Sequence, residues 1–275
     1  MSTRTRAGSR PATGPLLLRQ LRHQNRLFLR NPFSAFFSLA LPLMFLLVFG
    51  SLNSGQTLEA RGGIPYVQFL TPGLLAFAVV STCYTGLVTG VAMNRDMGIL
   101  KRVRGTPLPA WIYVAARILS SVWFSVVSAV LMVGVGVVLF DVEIIWRMLP
   151  AAVGTLLLGS ACFCALGMAV AALVPNGEAA PIVANFTVLP VAFISDLFFP
   201  MDAAPTWLQT LGSVFPVKHF ALALEATFNP FTTGSGWQWD HLAVLALWGV
   251  AGLLVAIRKF RWEPNTPGGR RRPRR

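Results

Sequence analysis

Long apolar runs alternate with short polar or basic segments along most of the chain. Six runs reach or approach the about 20 apolar residues that a helix needs to cross a membrane. The runs are Phe33–Leu52, Tyr66–Met93, Ala110–Phe140, Met148–Val174, Ala179–Ile194 and His241–Ile257. The pattern therefore predicts an all-α, polytopic membrane protein with six transmembrane helices, within a domain that spans residues 33–258.

The segment 196–240, between the last two runs, has a mixed character. It contains four prolines, but it is also rich in Phe, Leu and Trp, which makes it too apolar for an ordinary solvated loop. Irregular backbone is tolerated at membrane depth where it is buried in protein. We therefore expect short re-entrant helices before the last span.

The segment 16–32 precedes the first run and has two faces. Arg19, Arg22, Arg26 and Arg30 fall on one side of a helix, and Leu17, Leu21 and Phe28 fall on the other. This pattern predicts an amphipathic helix in the membrane interface, with its arginines on lipid phosphates. The alternative is a plain cytoplasmic lead-in. Residues 1–15, before it, are predicted to be basic and disordered.

The charges of the chain are few and unevenly placed. Charged residues make up 12% of the chain, against about 25% in soluble domains. Nineteen of the 23 Lys and Arg residues lie before the first span, in the loop 94–109, at position 258, or in the basic tail 259–275. Basic loops stay in the cytoplasm, so we expect both termini to be cytoplasmic, in the cell (inner) membrane. No basic soluble domain is present to bind nucleic acid.

The sequence shows no catalytic constellation. There is no G-x-x-x-x-G-K-[ST] phosphate loop, so ATP hydrolysis would need a separate subunit. The histidines lack ligand spacing, and the cysteines lie inside apolar runs, so no metal or cofactor is predicted. These residues are His23, His219, His241, Cys83, Cys162 and Cys164. The predicted spans also carry no carboxylates near their centres, which argues against an ion-coupled carrier.

The loop 94–109 is the one sizeable cytoplasmic connection between the predicted spans. A short helix in this loop would place an apolar set along one side and most of the basic residues elsewhere. The apolar set is Met97, Ile99, Leu100 and Val103. An exposed apolar stripe favours a protein partner, and a soluble subunit would supply one. The alternative is that the charges only fix the topology.

Four stretches together resemble the type-2 ABC transporter permeases, in particular the daunorubicin-resistance-like drug exporters. They are the basic segment ending at Asn31-Pro32, the sequence from Tyr66 to Gly73 (YVQFLTPG), the loop NRDMGILKRVRGTPLP, and the stretch from Phe193 to Pro216 with FFPM, APTWL and FP. The resemblance covers nearly the whole chain in order and spacing.

This resemblance implies a permease subunit that is not itself an enzyme. Two such subunits, identical or paralogous, would pair with two cytoplasmic ATPase subunits, and a hydrophobic substrate would move along the first, second and fifth spans at their interface. The residues 94–109 would form the ATPase-coupling loop. The site residues that it implies are Arg95, Asp96, Met97, Gly98, Leu100, Lys101, Arg102 and Arg104 in this loop, and Asp196, Pro200, Pro205, Trp207 and Pro216 in the external segment 196–240.

The chain departs from the family pattern at two positions. Met97 stands where the family usually has Glu, which weakens any charge contact of the coupling loop. Asp196 stands where a small residue, often Gly, is common, so packing at the end of the fifth span is expected to differ.

Three functions remain after this comparison of patterns. The first is efflux of a hydrophobic drug, antibiotic or lipid-like compound by an ATP-driven exporter. The second is export of a polysaccharide or lipid-linked glycan by the same kind of permease. The third is a membrane-embedded enzyme or scaffold, which would need converging polar residues within the spans.

The predicted orientation can be measured with reporter fusions. Since nineteen basic residues would otherwise be translocated, we expect fusions at both ends to be active only as cytoplasmic reporters. A signal from the opposite side of the membrane at Arg275 would contradict this orientation.

Overall fold

The computed structural model describes residues 13–30, 32–105, 109–202 and 204–260. The described part is almost entirely helical, and its one pair of strands has two residues in each strand. Most of the predicted disordered segment 1–15 and of the basic tail 259–275 lies outside the described residues.

Eleven helices are numbered in chain order. They are α1 Thr13–Arg30, α2 Pro32–Leu52, α3 Tyr66–Val80, α4 Gly86–Asp96, α5 Ile99–Arg104, α6 Ala110–Phe140, α7 Leu149–Leu173, α8 Ala179–Phe193, α9 Thr206–Val214, α10 Pro216–Phe228 and α11 Trp239–Lys259. A π-helical turn, Ser81–Thr85, joins α3 to α4 without a break, and a 3-10 turn, Trp146–Met148, precedes α7. Strands β1 (Thr57–Leu58) and β2 (Ile64–Pro65) pair antiparallel between α2 and α3.

Within the described residues, four helices are long and apolar enough to cross a membrane: Tyr66–Asp96, Trp111–Phe140, Trp146–Leu173 and Trp239–Lys259. They coincide with the predicted second, third, fourth and sixth spans. Helices α2 and α8 occupy the positions of the first and fifth spans, but their described apolar parts are shorter, at Ala40–Leu52 and Ala179–Phe193. The fifteen residues of α8 rise only about 22 Å. The mostly helical class is confirmed, while the count of six spans stays a prediction.

Helix α3 is at the centre of the bundle. Every one of its residues is buried, because α2, α6 and α10 surround it. Its start is fixed by Gln68, whose side-chain amide donates to the carbonyls of Phe228 (2.6 Å) and Glu143 (2.9 Å) and accepts from the Glu143 N–H (2.9 Å). One buried side chain thus joins α3 to the end of α10 and to the connection after α6.

Small residues on α7 allow its neighbours to come close. Gly159 lies under the ring of Phe220, and Gly167 lies against the carbonyls of Cys83 and Tyr84 in the π-helical turn. Ser160 shares a hydrogen bond of 2.9 Å with Ser125 of α6. Helix α7 therefore connects α6, α10, α11 and the π-helical turn.

The bundle has two polar ends. The strands, α9 and α10 lie at one end, which we call the hairpin end. The coupling-loop helix α5, the end of α4, the turn between α7 and α8, and the start of α6 lie at the other, which we call the α5 end. Helix α1 packs against α6 near this second end.

Gly73 and Gly134 provide a matched test of the packing of α3. A Cβ on Gly73 would overlap the Leu197 carbonyl oxygen, whereas nothing lies within 4 Å of a Cβ on Gly134 of α6. We expect Gly73→Ala to destabilise the protein by about 1–3 kcal/mol because the site is already filled. Gly134→Ala should be neutral or stabilise by about 0.5–1 kcal/mol because Ala favours helix.

Thermal unfolding of both variants in detergent measures this difference. Equal midpoints for the two variants would contradict the close contact between α3 and Leu197.

Candidate functional site

The side chain of Arg95, in the coupling loop, points into the protein. It is only 2% exposed. Its Nη1 donates to the Ala171 carbonyl at 3.0 Å, and its Nη2 donates to the Val174 carbonyl at 2.7 Å. The last carbonyls of a helix have no partner within that helix, and a positive charge is favourable there. Arg95 therefore caps the end of α7.

Asp96 holds the turn between α7 and α8 against the end of α4. One of its oxygens lies 3.4 Å from Arg95 Nε, and the other accepts from the backbone N–H of Gly177. A Cβ on Gly177 would lie 3.0 Å from Met93 Cα, so the turn touches the backbone of α4 directly. The next helix starts at once, because the Asn176 side chain accepts from the Ala179 N–H at 2.8 Å. We call Arg95, Asp96 and the turn 174–178 the Arg95 clamp.

Helix α5 is confirmed within the coupling loop, but one expectation about it was wrong. Leu100 was expected to be exposed, and it is fully buried in the core of the chain. Gly98, with φ of +70°, makes a left-handed turn that folds α5 back against the bundle. Met97, at the turn, remains 57% exposed.

The basic residues of this loop also differ in their surroundings. Lys101 and Arg102 are exposed on α5, in contrast to the buried Arg95. The Arg104 side chain and residues 106–108 lie outside the described part of the chain. The described surface that α5 offers to a partner is therefore formed by Met97, Lys101 and Arg102.

Helix α1 is confirmed over the predicted amphipathic segment. Its four arginines, Arg19, Arg22, Arg26 and Arg30, are all exposed. On its other side, Gln24 accepts from Arg117 at 3.4 Å and Asn25 accepts from Ser120 at 2.6 Å, both on α6. The helix is thus attached to the bundle by polar contacts that the pattern of leucines did not predict. Its contact with lipid stays a prediction.

The hairpin end contains an ion cluster around Arg61, which lies between β1 and β2. Its guanidinium contacts Glu225 at 2.6 Å, Asp202 at 3.0 Å and Asp196 at 3.1 Å. Lys218 approaches Asp196 from the other side, at 3.4 Å. Burial raises the pKa of the Glu225 carboxyl, which lies between the predicted spans, and Arg61 acts in the opposite direction. The cluster ties the hairpin to the end of α8 and to α10.

The ion cluster explains the departure from the family pattern at Asp196. This residue has φ of +56°, in the left-handed region that glycine adopts freely. Its carboxylate is held by Arg61 and Lys218, and it also accepts from the Met201 N–H at 2.8 Å. These contacts offset the backbone strain of a non-glycine residue here, which costs on the order of 1–3 kcal/mol.

The prolines of segment 196–240 mark the starts of two short helices. Pro205 directly precedes α9, and Pro216 is the first residue of α10, where its fixed φ suits a helix start. Pro200 lies before α9, and Trp207 on α9 is 67% exposed. Two short helices before the last long one are therefore confirmed, and their entry into the membrane stays a prediction.

Two histidines that are distant in the sequence lie next to each other in the structure. The Nδ1 atoms of His219 on α10 and His241 on α11 are 2.8 Å apart. His219 Nε2 lies 2.8 Å from the Ser213 carbonyl. Within the described residues, no three His, Cys, Asp or Glu side chains gather in a way that would hold a metal ion.

Two cavities in the described part of the chain are lined almost entirely by apolar side chains. The larger, about 480 Å³, lies between α6 and α7 and is closed by Leu224 and Phe228 of α10. The smaller, about 200 Å³, lies beside the hydrogen bond between Tyr84 and Thr187 (2.8 Å). Such surfaces suit alkyl chains or hydrophobic molecules rather than strongly polar ones.

Two arginine variants test how much the ion cluster contributes to the stability of the protein. Arg61→Gln leaves three carboxylates without their shared cation. Removing one partner of a buried pair costs about 3–5 kcal/mol, and the partial exposure of Arg61 reduces this to about 2 kcal/mol. Arg147→Gln removes a single exposed contact, to the Thr232 carbonyl, and should cost much less.

Thermal unfolding of the two variants, at equal membrane yield, measures the difference. If Arg61→Gln unfolded at the same temperature as the unaltered chain, the cluster would contribute nothing to stability.

A comparison with protein families gives one extended match. The family model described as ABC-2 type transporter matches residues 16–229. This range contains the coupling loop, the ion cluster and all the helices from α2 to α10.

Curated proteins with similar sequences include several that are named as permeases. The daunorubicin resistance ABC transporter permease protein DrrB1 of Streptomyces coeruleorubidus is 28% identical over 263 residues, which cover 91% of this chain and 87% of the relative. The putative transport permease YvfS of Bacillus subtilis is 24% identical over 232 residues, with coverage of 83% and 90%. Nodulation protein J of Rhizobium leguminosarum bv. trifolii is 27% identical over 188 residues, with coverage of 66% and 68%.

Proposed function

The chain belongs to the ABC-2 type transporter family, and from this membership we propose that it is the permease subunit of an ATP-driven exporter of hydrophobic compounds. The substrate would be a drug, an antibiotic or a lipid-like molecule. The observation that carries the proposal is the family match over residues 16–229, together with four helices long enough to cross a membrane.

In this proposal the spans are α2, α3–α4, α6, α7, α8 and α11, in the cell membrane. The α5 end would face the cytoplasm together with both termini. The basic residues support this orientation, because basic segments stay in the cytoplasm. Helices α1 and α5 carry such residues, and Arg258 and Lys259 lie in the last turn of α11. The hairpin end, with its ion cluster, would then face outward.

The energy source would be a cytoplasmic ATPase subunit. The chain has no phosphate loop of its own. The exposed Met97, Lys101 and Arg102 of the coupling loop form a small apolar centre with a basic rim, which suits a protein contact. ATP would be bound by that partner, and this chain would need no cofactor.

A second copy of the chain, or a paralogue, would cover the outer face of α8. The exposed residues of this face follow helical spacing: Ile182, Asn185, Phe186, Leu189 and Phe193. The Asn185 carboxamide lies midway along an otherwise apolar stripe. A polar amide in hydrocarbon is costly without a hydrogen-bond partner. In a twofold dimer a residue near the axis meets its own copy, so the second subunit would supply that partner.

The choice of a hydrophobic substrate is supported by two observations. Both cavities have apolar linings, whereas a glycan would need many hydrogen-bonding groups. The relative from Streptomyces coeruleorubidus, which aligns along 91% of the chain, is named for daunorubicin resistance. These observations favour drug or lipid-like efflux over glycan export.

The proposal is tested by purifying the tagged chain from its native membranes. We expect a P-loop ATPase to copurify with it, and the complex in proteoliposomes to export daunorubicin, used as the probe, when ATP is supplied. The chain alone should hydrolyse no ATP. Nucleotide turnover by the purified chain, or the absence of any associated ATPase, would contradict the proposal.

Two variants test whether Met97, Lys101 and Arg102 form the docking surface for the ATPase. Met97→Asp should reduce recovery of the ATPase because burying a carboxylate in an apolar contact is costly. Lys101→Ala, which changes a rim charge worth about 0–1 kcal/mol, should reduce it little. Leu100→Asp is not a test of docking, since Leu100 is buried within the chain. Equal ATPase recovery with Met97→Asp and with the unaltered chain would exclude the coupling loop as the docking site.

A further inference from the structure

We propose that Arg95 and Asp96 act as positioning residues that transmit movement of the coupling loop to α8, instead of contacting the ATPase. This inference rests on the proposed function, because the movement would originate in the ATPase subunit. It assigns the buried Arg95, and Asp96 through its contacts with Arg95 and Gly177, to the permease itself and leaves docking to Met97, Lys101 and Arg102.

The first step of the argument is the direction of the Arg95 side chain. At 2% exposure it offers no surface to a partner. Two of its nitrogens are committed to carbonyls at the end of α7, at 3.0 and 2.7 Å. The planar guanidinium fork serves both carbonyls at once, which a single ammonium group does less well. Arg95 therefore fixes the end of α4 to the end of α7.

The second step is the connection from α4 to the start of α8. Asp96 accepts from the Gly177 N–H, and Gly177 lies against the Met93 backbone with no room for a side chain. Only Glu178 separates Gly177 from the first residue of α8. Any displacement of the α4–α5 junction is thereby passed to the N-terminus of α8.

The third step is the packing of α8 between its two ends, which are held by the Arg95 clamp and by the ion cluster. Its buried residues are all small: Ala180, Ala184, Val188 and Ala192. Small side chains form shallow ridges, so the helix is able to tilt with little repacking. Pro190 also removes one hydrogen bond from its interior. By contrast, α7 is closely packed by Phe220 and by α11. A force applied through the clamp will therefore move α8 more readily than α7.

The consequence concerns the outer face of α8, which carries Asn185. A tilt of α8 would change the contact between the two permease subunits that we propose there. Binding of ATP to the partner would in this way alter the interface along which the substrate moves, without any clamp residue touching either the ATPase or the substrate.

The experiment follows α8 with a spin label. Ile182 is 71% exposed on the single chain, on the face of α8 that would meet the second subunit, whereas the native cysteines Cys83, Cys162 and Cys164 are buried. A cysteine introduced as Ile182→Cys is therefore the most accessible thiol, and a label on it reports on that contact. The spectrum is recorded on the purified complex with its ATPase, without nucleotide and with a non-hydrolysable ATP analogue. In the otherwise unaltered chain we expect the analogue to change the mobility of the label.

Two clamp variants and one matched control are compared in this background. Arg95→Met removes both capping bonds, and Asp96→Ala releases Gly177. Arg258→Met makes the same arginine-to-methionine change at an exposed residue of the last turn of α11. We expect both clamp variants to keep their ATPase and its hydrolysis but to lose the nucleotide-dependent change at Ile182, and Arg258→Met to retain the change. If Arg95→Met fails to reach the membrane, Arg95→Lys, which keeps the charge but not the fork, takes its place and should show a partial loss.

Three results would overturn the inference. One is a nucleotide-dependent change that persists in both clamp variants. Another is loss of ATPase association in those variants, which would make them docking residues. The third is the absence of any change at Ile182 in the unaltered chain while the complex still exports daunorubicin. Failure to recover an ATPase with the unaltered chain is a separate outcome, which would contradict the proposed function and the inference with it.

Discussion

Helix ends inside an apolar bundle need hydrogen-bond partners that water does not supply, and this requirement organises the molecule. The carbonyls that end α7 are satisfied by the guanidinium of Arg95, and the backbone around Glu143 and Phe228 is satisfied by Gln68. An unsatisfied group at such a place costs several kcal/mol in an apolar medium. Arg95 and Gln68 are therefore placed where one helix ends against another, and each joins the helices that it contacts.

The middle of the bundle follows a different rule. Between its polar ends, contacts are formed by small residues, such as Gly159 and Gly167 of α7 against Phe220 and the π-helical turn. The free energy of these contacts comes from close packing, because lipid chains are as apolar as the side chains themselves. A helix that is tied at both ends, with contacts between small residues along its length, is able to tilt when one of the two ties moves.

The sequence predicted those features that depend on local pattern. Runs of about 20 apolar residues placed the long helices correctly, and the apolar character of segment 196–240 indicated short helices there, now α9 and α10. It failed where distant residues meet. Arg61 and Glu225 are 164 positions apart, and no periodicity signals their contact. Leu100 looked exposed because an apolar residue among basic ones reads as a surface stripe, whereas the left-handed turn at Gly98 folds it into the core.

The same distinction bears on how charged residues in a membrane protein should be interpreted. A cluster of Arg, Lys and Asp beside a predicted span is commonly assigned to topology or to a partner. In this chain Arg95 is buried whereas Lys101 and Arg102 of the same loop are exposed, and this difference in burial decides what each side chain is able to contact. A buried guanidinium remains charged and so requires fixed acceptors, which here are supplied by the end of α7. An exposed charged group is solvated and is accessible to another protein. The loop therefore divides into an inner part, Arg95, which is bound to the end of α7, and an outer part, Met97, Lys101 and Arg102, which is accessible on the surface.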